Sequence, residues 1–251
     1  MSYVKKGQNF LIDKNIVNKE INHARITKDD VVLEIGPGKG ILTESLAEKA
    51  RKVIAIEIDK KLIDELECFL PVNVEIIHSD ILKVDLDSLP KFSKIVSNIP
   101  YQISSPVTFK ILDYDFKMGI LIYQKEFAER MVAENHSKNY SRLSVGVYYK
   151  ADCELLELVS KTCFSPKPKV DSYMVKLTPR EKPKFKVTDE RFFFDVTREL
   201  FSHRRKKIKN VVLKKWNLVI EKELFANERV EDLKPEQIGR LSDYIYNLLH
   251  I

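Results

Sequence analysis

Cysteine is scarce in this chain, and its pattern excludes two common ways of stabilising a fold. Only three cysteines occur among 251 residues, and no two of them have CxxC spacing: Cys68, Cys153 and Cys163. This odd number and wide spacing predict a reduced, intracellular protein without a structural zinc site. The five histidines are equally dispersed. We therefore expect no metal site.

Long hydrophobic runs are also absent. The longest, such as MGILIY at 118–123, are far shorter than the roughly 20 apolar residues of a transmembrane helix. The first ten residues carry charge and no apolar segment follows them, so no secretory signal is predicted. These absences indicate a cytoplasmic protein without a membrane partner.

Positive charge is concentrated in one segment. The chain has a net charge of +6, and residues 198–215 hold eight Lys or Arg and one Glu. This segment alone carries +7, so the remainder sums to −1. Its densest part is Arg204, Arg205, Lys206 and Lys207. We predict that these four side chains contact the phosphates of a nucleic acid, and the alternative is an ordinary solvated helix face.

Short runs rich in Val and Ile alternate with helical stretches over the first two thirds of the chain. The runs predict strands at 31–35, 53–58, 74–78, 94–97 and 118–123. Apolar residues recur at helical spacing in 41–50, 60–70 and 124–133. Repeated βα units of this length predict an α/β fold with a Rossmann-like, mostly parallel sheet. Two late strands, at 143–151 and 172–178, are predicted to close its edge.

A domain boundary is predicted near 178–186, where TPREKPKFK interrupts both periodicities with two prolines and several lysines. Beyond it, an apolar stripe at 191–201 predicts one helix, and Ser202 is predicted to cap a second. We therefore predict a catalytic domain at 1–178 and a small all-α domain at 179–251. About seventy residues hold little core alone, so this domain is expected to pack on the first.

Glycines are few but clustered. Three of the seven, Gly36, Gly38 and Gly40, lie in EIGPGKGILT, where the first predicted strand meets the first helix. Glycine lets the backbone turn sharply there and approach a ligand closely. A dinucleotide fingerprint would need its third glycine at Ile41. The GxGxG spacing favours S-adenosylmethionine over NAD, with a purely structural glycine turn as the alternative.

Two carboxylates follow successive predicted strands. Glu57 ends the second strand and Asp80 follows the third. Ligands bind beyond the carboxyl ends of the strands in an open α/β sheet. We predict that Glu57 accepts hydrogen bonds from both ribose hydroxyls and Asp80 accepts one from the adenine amine. Ile58 and Ile81 would flank the ring. Either acid alone is better explained as solvated, but two after a glycine loop favour a cofactor site.

The stretch IVSNIPYQISSPV at 95–107 places an amide, a fixed proline and an aromatic ring after a strand. An adenine amine is a poor nucleophile, because its lone pair is delocalised into the ring. The Asn98 side-chain oxygen and a backbone carbonyl at Ile99 or Pro100 can accept its protons and favour the tetrahedral geometry that frees this pair. Tyr101 would stack on the base. The stretch therefore predicts methyl transfer to an adenine amine, driven by positioning.

Taken with GQNFLID, LEIGPGKG, AIEID, SDIL, FSPKPKVDS and HRRKK, the SNIPY motif resembles the ribosomal RNA adenine N6,N6-dimethyltransferase family, in the expected order from residue 7 to about 215. NIPYQISSP is similar to archaeal and eukaryotic members. The resemblance implies a class I S-adenosylmethionine-dependent methyltransferase with a helical C-terminal domain. It implies dimethylation of two adjacent adenosines near the 3′ end of small-subunit rRNA, within an immature ribosomal subunit, during ribosome biogenesis. We expect a monomer.

The resemblance also implies roles for single residues. Asn9 and Leu11 of QNFL would cover the cofactor, and Gly36 would contact its methionine portion. Asn98 would contact both the cofactor and the target amine. Phe164 would stack on a flipped adenine, opposite the tyrosine of SNIPY, because the amine is otherwise occupied by base pairing. The alternative for Phe164 is an aromatic side chain packed in a loop.

Other functions remain open at this point. A sister enzyme that methylates one large-subunit rRNA adenine and confers macrolide resistance shares every motif above. A DNA adenine methyltransferase is disfavoured because no separate target-recognition region is visible. A non-catalytic rRNA-binding assembly factor, or a transcription factor on the same fold, would not need Asn98 or Tyr101.

Overall fold

The computed structural model describes residues 8–221 and 224–250, which contain nine strands and nine α-helices. The strands are β1 (Phe10–Leu11), β2 (Val31–Ile35), β3 (Lys52–Glu57), β4 (Val74–His78), β5 (Lys94–Asn98), β6 (Met118–Gln124), β7 (Ala151–Val159), β8 (Phe164–Ser165) and β9 (Ser172–Pro179). The helices are α1 (Lys14–Ala24), α2 (Ile41–Lys49), α3 (Lys60–Leu66), α4 (Ser104–Leu112), α5 (Lys125–Met131), α6 (Arg142–Lys150), α7 (Glu190–Ser202), α8 (Ile208–Trp216) and α9 (Pro235–Leu249). None of these helices is long and apolar enough to cross a bilayer.

The predicted parallel sheet is confirmed. Seven strands pair in the order β4-β3-β2-β5-β6-β9-β7. The pairs that β2 to β6 form with one another are all parallel. Strand β9 is antiparallel to β6. The five predicted parallel strands and the strand predicted at 172–178 agree with the structure to within one residue at each end. Their Val- and Ile-rich sequences suit a sheet whose two faces are both covered by helices.

The strand order reverses between β2 and β5. From β2 the chain continues to β3 and β4 on one side, and then crosses to β5 on the other. At such a switch point, the loops at the carboxyl ends of the two central strands separate and leave a crevice. The glycine loop after β2 and the SNIPY motif at the end of β5 both lie at this point.

The chain divides into two compact units. Unit 1 runs to Ala128 and includes Asp152–Pro179, and unit 2 contains Glu129–Ala151 and continues from Arg180. We predicted a single boundary at 178/179, with 129–151 in the catalytic domain. The structure corrects the assignment of 129–151, because Tyr140, Val145 and Tyr149 belong to the hydrophobic core of unit 2.

The predicted strand at 143–151 is wrong. These residues form helix α6, which begins with a capping box between Ser141 and Ser144. Six of its nine residues are buried, and its apolar residues at 143, 145, 147 and 149 alternate as they would in a strand. Tertiary packing therefore overrides the β propensity of its Val and Tyr residues. The edge strand β7 begins only at Ala151.

Unit 2 has a core of its own, built largely from aromatic and aliphatic side chains of α6, α7, α8 and α9. Tyr149 of α6 contacts the rings of Phe185, Phe193 and Phe194 within this core. The predicted helix capped by Ser202 is also corrected: Ser202 is the last residue of α7, and α8 begins at Ile208. Residues 203–207 form the connection between the two helices.

Candidate active site

The glycine loop after β2 has a backbone that other residues would strain. Gly36 has φ +71° and Gly38 has φ +58°, both in the left-handed region. A Cβ on Gly36 would lie 3.3 Å from Pro100 Cγ, and one on Gly38 would lie 2.7 Å from Phe10 Cδ1. The loop is thus packed between the SNIPY motif and β1.

The short strands β1 and β8 join two distant motifs. Phe10 is opposite Ser165 and Leu11 is opposite Phe164 in an antiparallel pair. Leu11 and Phe164 are 5% and 4% exposed and belong to the core of unit 1. Asn9, which precedes β1, is half-buried. The burial of Phe164 favours the packed-aromatic alternative, and its stacking role stays a prediction.

Glu57 is fixed at the glycine loop by the backbone. Its side chain ends β3 and is 5% exposed. Oε1 accepts hydrogen bonds from the N–H groups of Ile58 and Asp59, each at 2.9 Å, and Oε2 accepts one from Gly38 at 3.4 Å. Burial raises the pKa of the Glu57 carboxyl, and these three donors oppose the rise. The structure therefore holds an acceptor beside the loop, where one was predicted.

The residues predicted around the adenine lie just beyond β3 and β4: Ile58 follows β3, and Asp80 and Ile81 come after β4. Ile58 is 51% exposed, which is unusual for an isoleucine beside a buried strand. Asp80 is half-buried, and its Oδ1 accepts a hydrogen bond from the Leu82 N–H at 3.0 Å. Ile81 is only 4% exposed. The exposed Ile58 is thus the better placed of the two isoleucines for a ligand ring.

The SNIPY motif presents an acceptor that the folded chain leaves unsatisfied. Asn98 ends β5, and its Oδ1 is buried without a hydrogen-bond partner among the described residues. The Ile99 N–H donates to the Ile122 carbonyl at 3.2 Å, which anchors the motif on β6. The Pro100 carbonyl accepts a hydrogen bond from the Ile103 N–H at 3.0 Å. Because this bond occupies one lone pair of Pro100, Ile99 is the stronger candidate for the backbone acceptor.

Tyr101 is tethered to a residue that sequence reasoning did not assign. Its hydroxyl lies 2.8 Å from Ser172 Oγ, at the start of β9. Ser172 is fully buried. Burial raises the pKa of the Tyr101 hydroxyl, and the hydrogen bond to Ser172 opposes this rise. This hydrogen bond joins SNIPY to the last residue of FSPKPKVDS and fixes the direction in which the tyrosine side chain points.

Two buried acids beneath the loop were also missed, and one of them lies on α1, which was not predicted. Glu20 of α1 is completely buried, and Glu34 of β2 is 2% exposed. Burial raises the pKa of Glu34 to about 8, with the Thr43 hydroxyl lowering it and the charge of Glu57 raising it further. The signal for α1 was present: Asp13 caps a helix whose apolar residues recur every three or four positions.

The basic segment in unit 2 is not uniform. Arg204 donates to Glu231 Oε2 at 2.7 Å and to the carbonyls of Lys138 and Ser137 at 2.7 and 2.8 Å. These bonds tie two loops of unit 2 together, so Arg204 has a structural function that the sequence did not reveal. We therefore withdraw Arg204 from the proposed phosphate contacts.

The other three cations of the segment differ from Arg204. Arg205, Lys206 and Lys207 are exposed. Within 8–221 and 224–250 their side chains make no hydrogen bond or ion pair. These three residues keep the predicted role.

The residues present fit the predicted cofactor. The positive φ at Gly36 and Gly38 would strain any other residue, a side chain at Gly38 would also clash with Phe10, and Glu57 lies beside the loop as an acceptor. A mostly parallel seven-stranded sheet with this loop at its switch point defines a class I S-adenosylmethionine-dependent methyltransferase.

Comparison with known proteins names the family. The model of the family described as ribosomal RNA adenine dimethylase matches residues 3–247, and the chain belongs to this family. A probable ribosomal RNA small subunit methyltransferase A of Methanococcus maripaludis strain C6 is 49% identical and covers 98% of both chains. Its counterpart in Methanosarcina acetivorans is 45% identical over 96% of this chain and 93% of its own. The chain is thus an enzyme that uses S-adenosylmethionine, as the motifs implied.

Solved structures agree with this assignment. A dimethyladenosine transferase from Plasmodium falciparum is 31% identical, with a TM-score of 0.79 over 96% of this chain and 98% of that chain. The 23S rRNA methyltransferase ErmE is 27% identical, with a TM-score of 0.67 over 95% of this chain and 100% of that chain. The resemblance found in the sequence and the predicted fold class are both confirmed.

Proposed function

We propose that this enzyme dimethylates two adjacent adenosines in the loop near the 3′ end of small-subunit rRNA, during ribosome biogenesis. The observation that carries the chemistry is the unsatisfied Oδ1 of Asn98 at the switch point, beside the glycine loop. The choice of the small subunit rests on the relatives that match at 45–49% identity over nearly their whole length. We propose an immature subunit as the substrate, a monomeric enzyme and a cytoplasmic location.

The test is a mapping experiment. The protein is incubated with labelled S-adenosylmethionine and immature small subunits, and the modified bases are mapped by primer extension and mass spectrometry. Two neighbouring dimethyladenosines near the 3′ end are expected. Parallel reactions contain naked small-subunit rRNA and large subunits. Label confined to one large-subunit adenine would instead support the alternative function, for which the similarity to ErmE is the motivating observation.

The cofactor is assigned to the crevice at the switch point. The backbone at Gly36 and Gly38 would hold the methionine portion, and Glu57 would accept hydrogen bonds from the ribose hydroxyls. When bound, S-adenosylmethionine supplies a methyl group that its sulfonium has already activated. Asp80 would accept a hydrogen bond from the adenine amine of the cofactor, with Ile58 and Ile81 along the ring. Asn9 and Leu11 would cover the site from the side of β1.

The chain's own contribution to the chemistry is a set of fixed acceptors. Asn98 Oδ1 and the Ile99 carbonyl would each accept one proton of the target amine. Accepting both hydrogen bonds favours the pyramidal amine, whose lone pair is free to attack. Pro100 holds this turn rigid and contacts the glycine loop at Gly36. Asn98 cannot remove the proton, so the methylated amine loses it to water.

The target base is assigned to two aromatic residues. Tyr101 would stack on the flipped adenine, which in nucleic-acid sites contributes about 1–3 kcal/mol per base. Phe164 would contact the opposite face through the exposed fraction of its ring. Its pairing with β1 brings this residue into the same unit as the SNIPY motif.

Replacing Glu57 by Ala is expected to weaken binding of S-adenosylhomocysteine about tenfold to a hundredfold, because a charged acceptor for two hydroxyls is lost. Calorimetric titration measures this. The 2′-deoxy analogue should bind the wild type more weakly, but this penalty should shrink in Glu57→Ala. Exposed Glu67 provides a matched control, since Glu67→Ala should leave affinity unchanged. Unchanged affinity in folded Glu57→Ala would remove Glu57 from the site.

Ser172→Ala and Tyr101→Phe each remove the hydrogen bond between the two hydroxyls while preserving the aromatic ring. We expect each to slow single-turnover methyl transfer by about twofold to tenfold, the range for one hydrogen bond. Because both variants lose the same bond, the double variant should be no slower than either single one. Multiplying effects in the double variant would show that the tether does not orient the ring.

A further inference from the structure

Helix α1 carries a carboxyl group on its apolar face. The buried residues of this helix are Ile16, Val17, Glu20, Ile21 and Ala24, spaced so that they share one side. Helix α1 packs with this side against β5, β6 and α2. Glu20 is 0% exposed, and neither of its carboxyl oxygens forms a hydrogen bond within the described part of the chain.

The sheet places two polar side chains under this helix. Val96 of β5 and Val32 of β2 belong to the same core cluster as the apolar residues of α1. Side chains two residues apart on a strand point to the same face. Asn98 and Glu34, each two residues further on, therefore face α1 as well. The fold thus brings Glu20 together with Asn98 and Glu34 beneath the switch point.

The charges around Glu20 agree with this placement. Burial, and after it the charge of Glu34, raise the pKa of Glu20 well above its ordinary value. The Asn98 side chain lowers the pKa of Glu20, as a donor NH2 group does. The acid and the amide therefore lie close together, and the Oδ1 of Asn98 has no hydrogen-bond partner among the described residues.

An apolar residue at position 20 would serve the fold better. A buried carboxyl group without hydrogen bonds costs stability, and replacing buried polar groups by apolar ones of similar size is often neutral or stabilising. Leucine would extend the stripe formed by Ile16, Val17 and Ile21 without interruption.

We propose that Glu20 is a positioning residue for Asn98, holding the amide through a hydrogen bond from its NH2 group so that Oδ1 is presented to the target amine. The two ends of an amide have nearly the same shape, and only their partners decide which end faces where. A rotated amide would set its NH2 against the NH2 of the adenine, donor against donor. The inference rests on the role proposed for Asn98.

Glu20→Leu tests the inference with three measurements on the full-length protein. Single-turnover methyl transfer to small subunits should slow by about threefold to tenfold, the value of one hydrogen bond. The affinity for S-adenosylhomocysteine should stay within about twofold, and the melting temperature should be equal or higher. Glu20→Gln keeps a carbonyl acceptor for the Asn98 NH2 group and should restore most of the rate. If Glu20 had only a structural role, Glu20→Leu would lower the melting temperature and the rate together, and Glu20→Gln would not selectively restore the rate.

The double variant Glu20→Leu/Asn98→Ala separates this inference from the proposed function. If Glu20 acts only through Asn98, the double variant is as slow as Asn98→Ala alone. A wild-type rate in Glu20→Leu, or losses that multiply in the double variant, overturns the role of Glu20 and leaves that of Asn98 standing. A wild-type rate in Asn98→Ala overturns both. If Glu20→Leu does not fold, Glu20→Met replaces it, and failure of both to fold shows that Glu20 is structural.

Discussion

Asn98→Ala is expected to slow methyl transfer about a hundredfold or more while leaving the fold and RNA affinity nearly unchanged. The Asn98 acceptor matters most as the target amine becomes pyramidal, so its loss falls on the chemical step. Removing one preorganised polar group from an active site typically lowers kcat by about 10²–10³-fold. Single-turnover kinetics at saturating cofactor and small subunits measure this step directly.

Asn73 provides a matched control for this experiment. Its side-chain NH2 donates to the Ala47 carbonyl at 2.9 Å, and it precedes β4 at the amino end of the sheet. Asn73→Ala therefore removes an amide of unit 1 far along the strands from the switch point and should leave the rate unchanged. A near-wild-type rate in Asn98→Ala, with cofactor and RNA binding intact, would contradict the proposed role.

Replacing Arg205, Lys206 and Lys207 together by Ala is expected to weaken rRNA binding by about 10³-fold or more at low salt, if each contact with a phosphate contributes about 1.5–3 kcal/mol, as a charged hydrogen bond does. Each phosphate contact contributes about 0.7–0.9 to the log–log slope of affinity against salt. The triple variant should therefore flatten this slope by about 2–3. Affinity for S-adenosylhomocysteine, whose proposed site lies in unit 1, should not change.

Two further variants give this experiment its controls. Lys182, Lys184 and Lys186 are exposed in unit 2, and their replacement by Ala removes the same charge. Arg204→Ala should lower the melting temperature, because it breaks three hydrogen bonds, with little change in salt slope. Equal slopes for the wild type and the 205–207 variant would mean that the segment is a solvated surface. Equal losses of rRNA affinity in the 205–207 variant and in the variant of Lys182, Lys184 and Lys186 would indicate a general effect of charge.

The binding motifs could be predicted because they are local. Gly36, Gly38, Glu57, Asp80 and Asn98 each lie at or just beyond the carboxyl end of a strand that its Val- and Ile-rich sequence identifies. The carboxyl ends of neighbouring parallel strands lie at one edge of a sheet. Once the βα units were recognised, their order alone placed these residues together, without knowledge of any tertiary contact.

The prediction failed where a helix carries a strand-like pattern, and it was incomplete where a side chain is used elsewhere. Residues 143–151 were predicted as a strand, and their apolar residues alternate at 143, 145, 147 and 149, but the segment folds as a helix with six of its nine residues buried. Arg204 was grouped with its basic neighbours because charge is visible in a sequence and its partner Glu231, 27 residues further on, is not.

The sequence by itself therefore determined the fold class, the cofactor loop and the methyl-transfer motif of this protein, because each depends on residues close together in the chain. Only the tertiary structure decided how these parts are supported. The hydrogen bond between Tyr101 and Ser172 spans 71 residues, and the placement of Glu20 beneath Asn98 depends on how α1 packs on β5. Such pairs satisfy or orient buried polar groups across the fold. No local pattern encodes them, since either partner alone is an ordinary residue of a helix or strand.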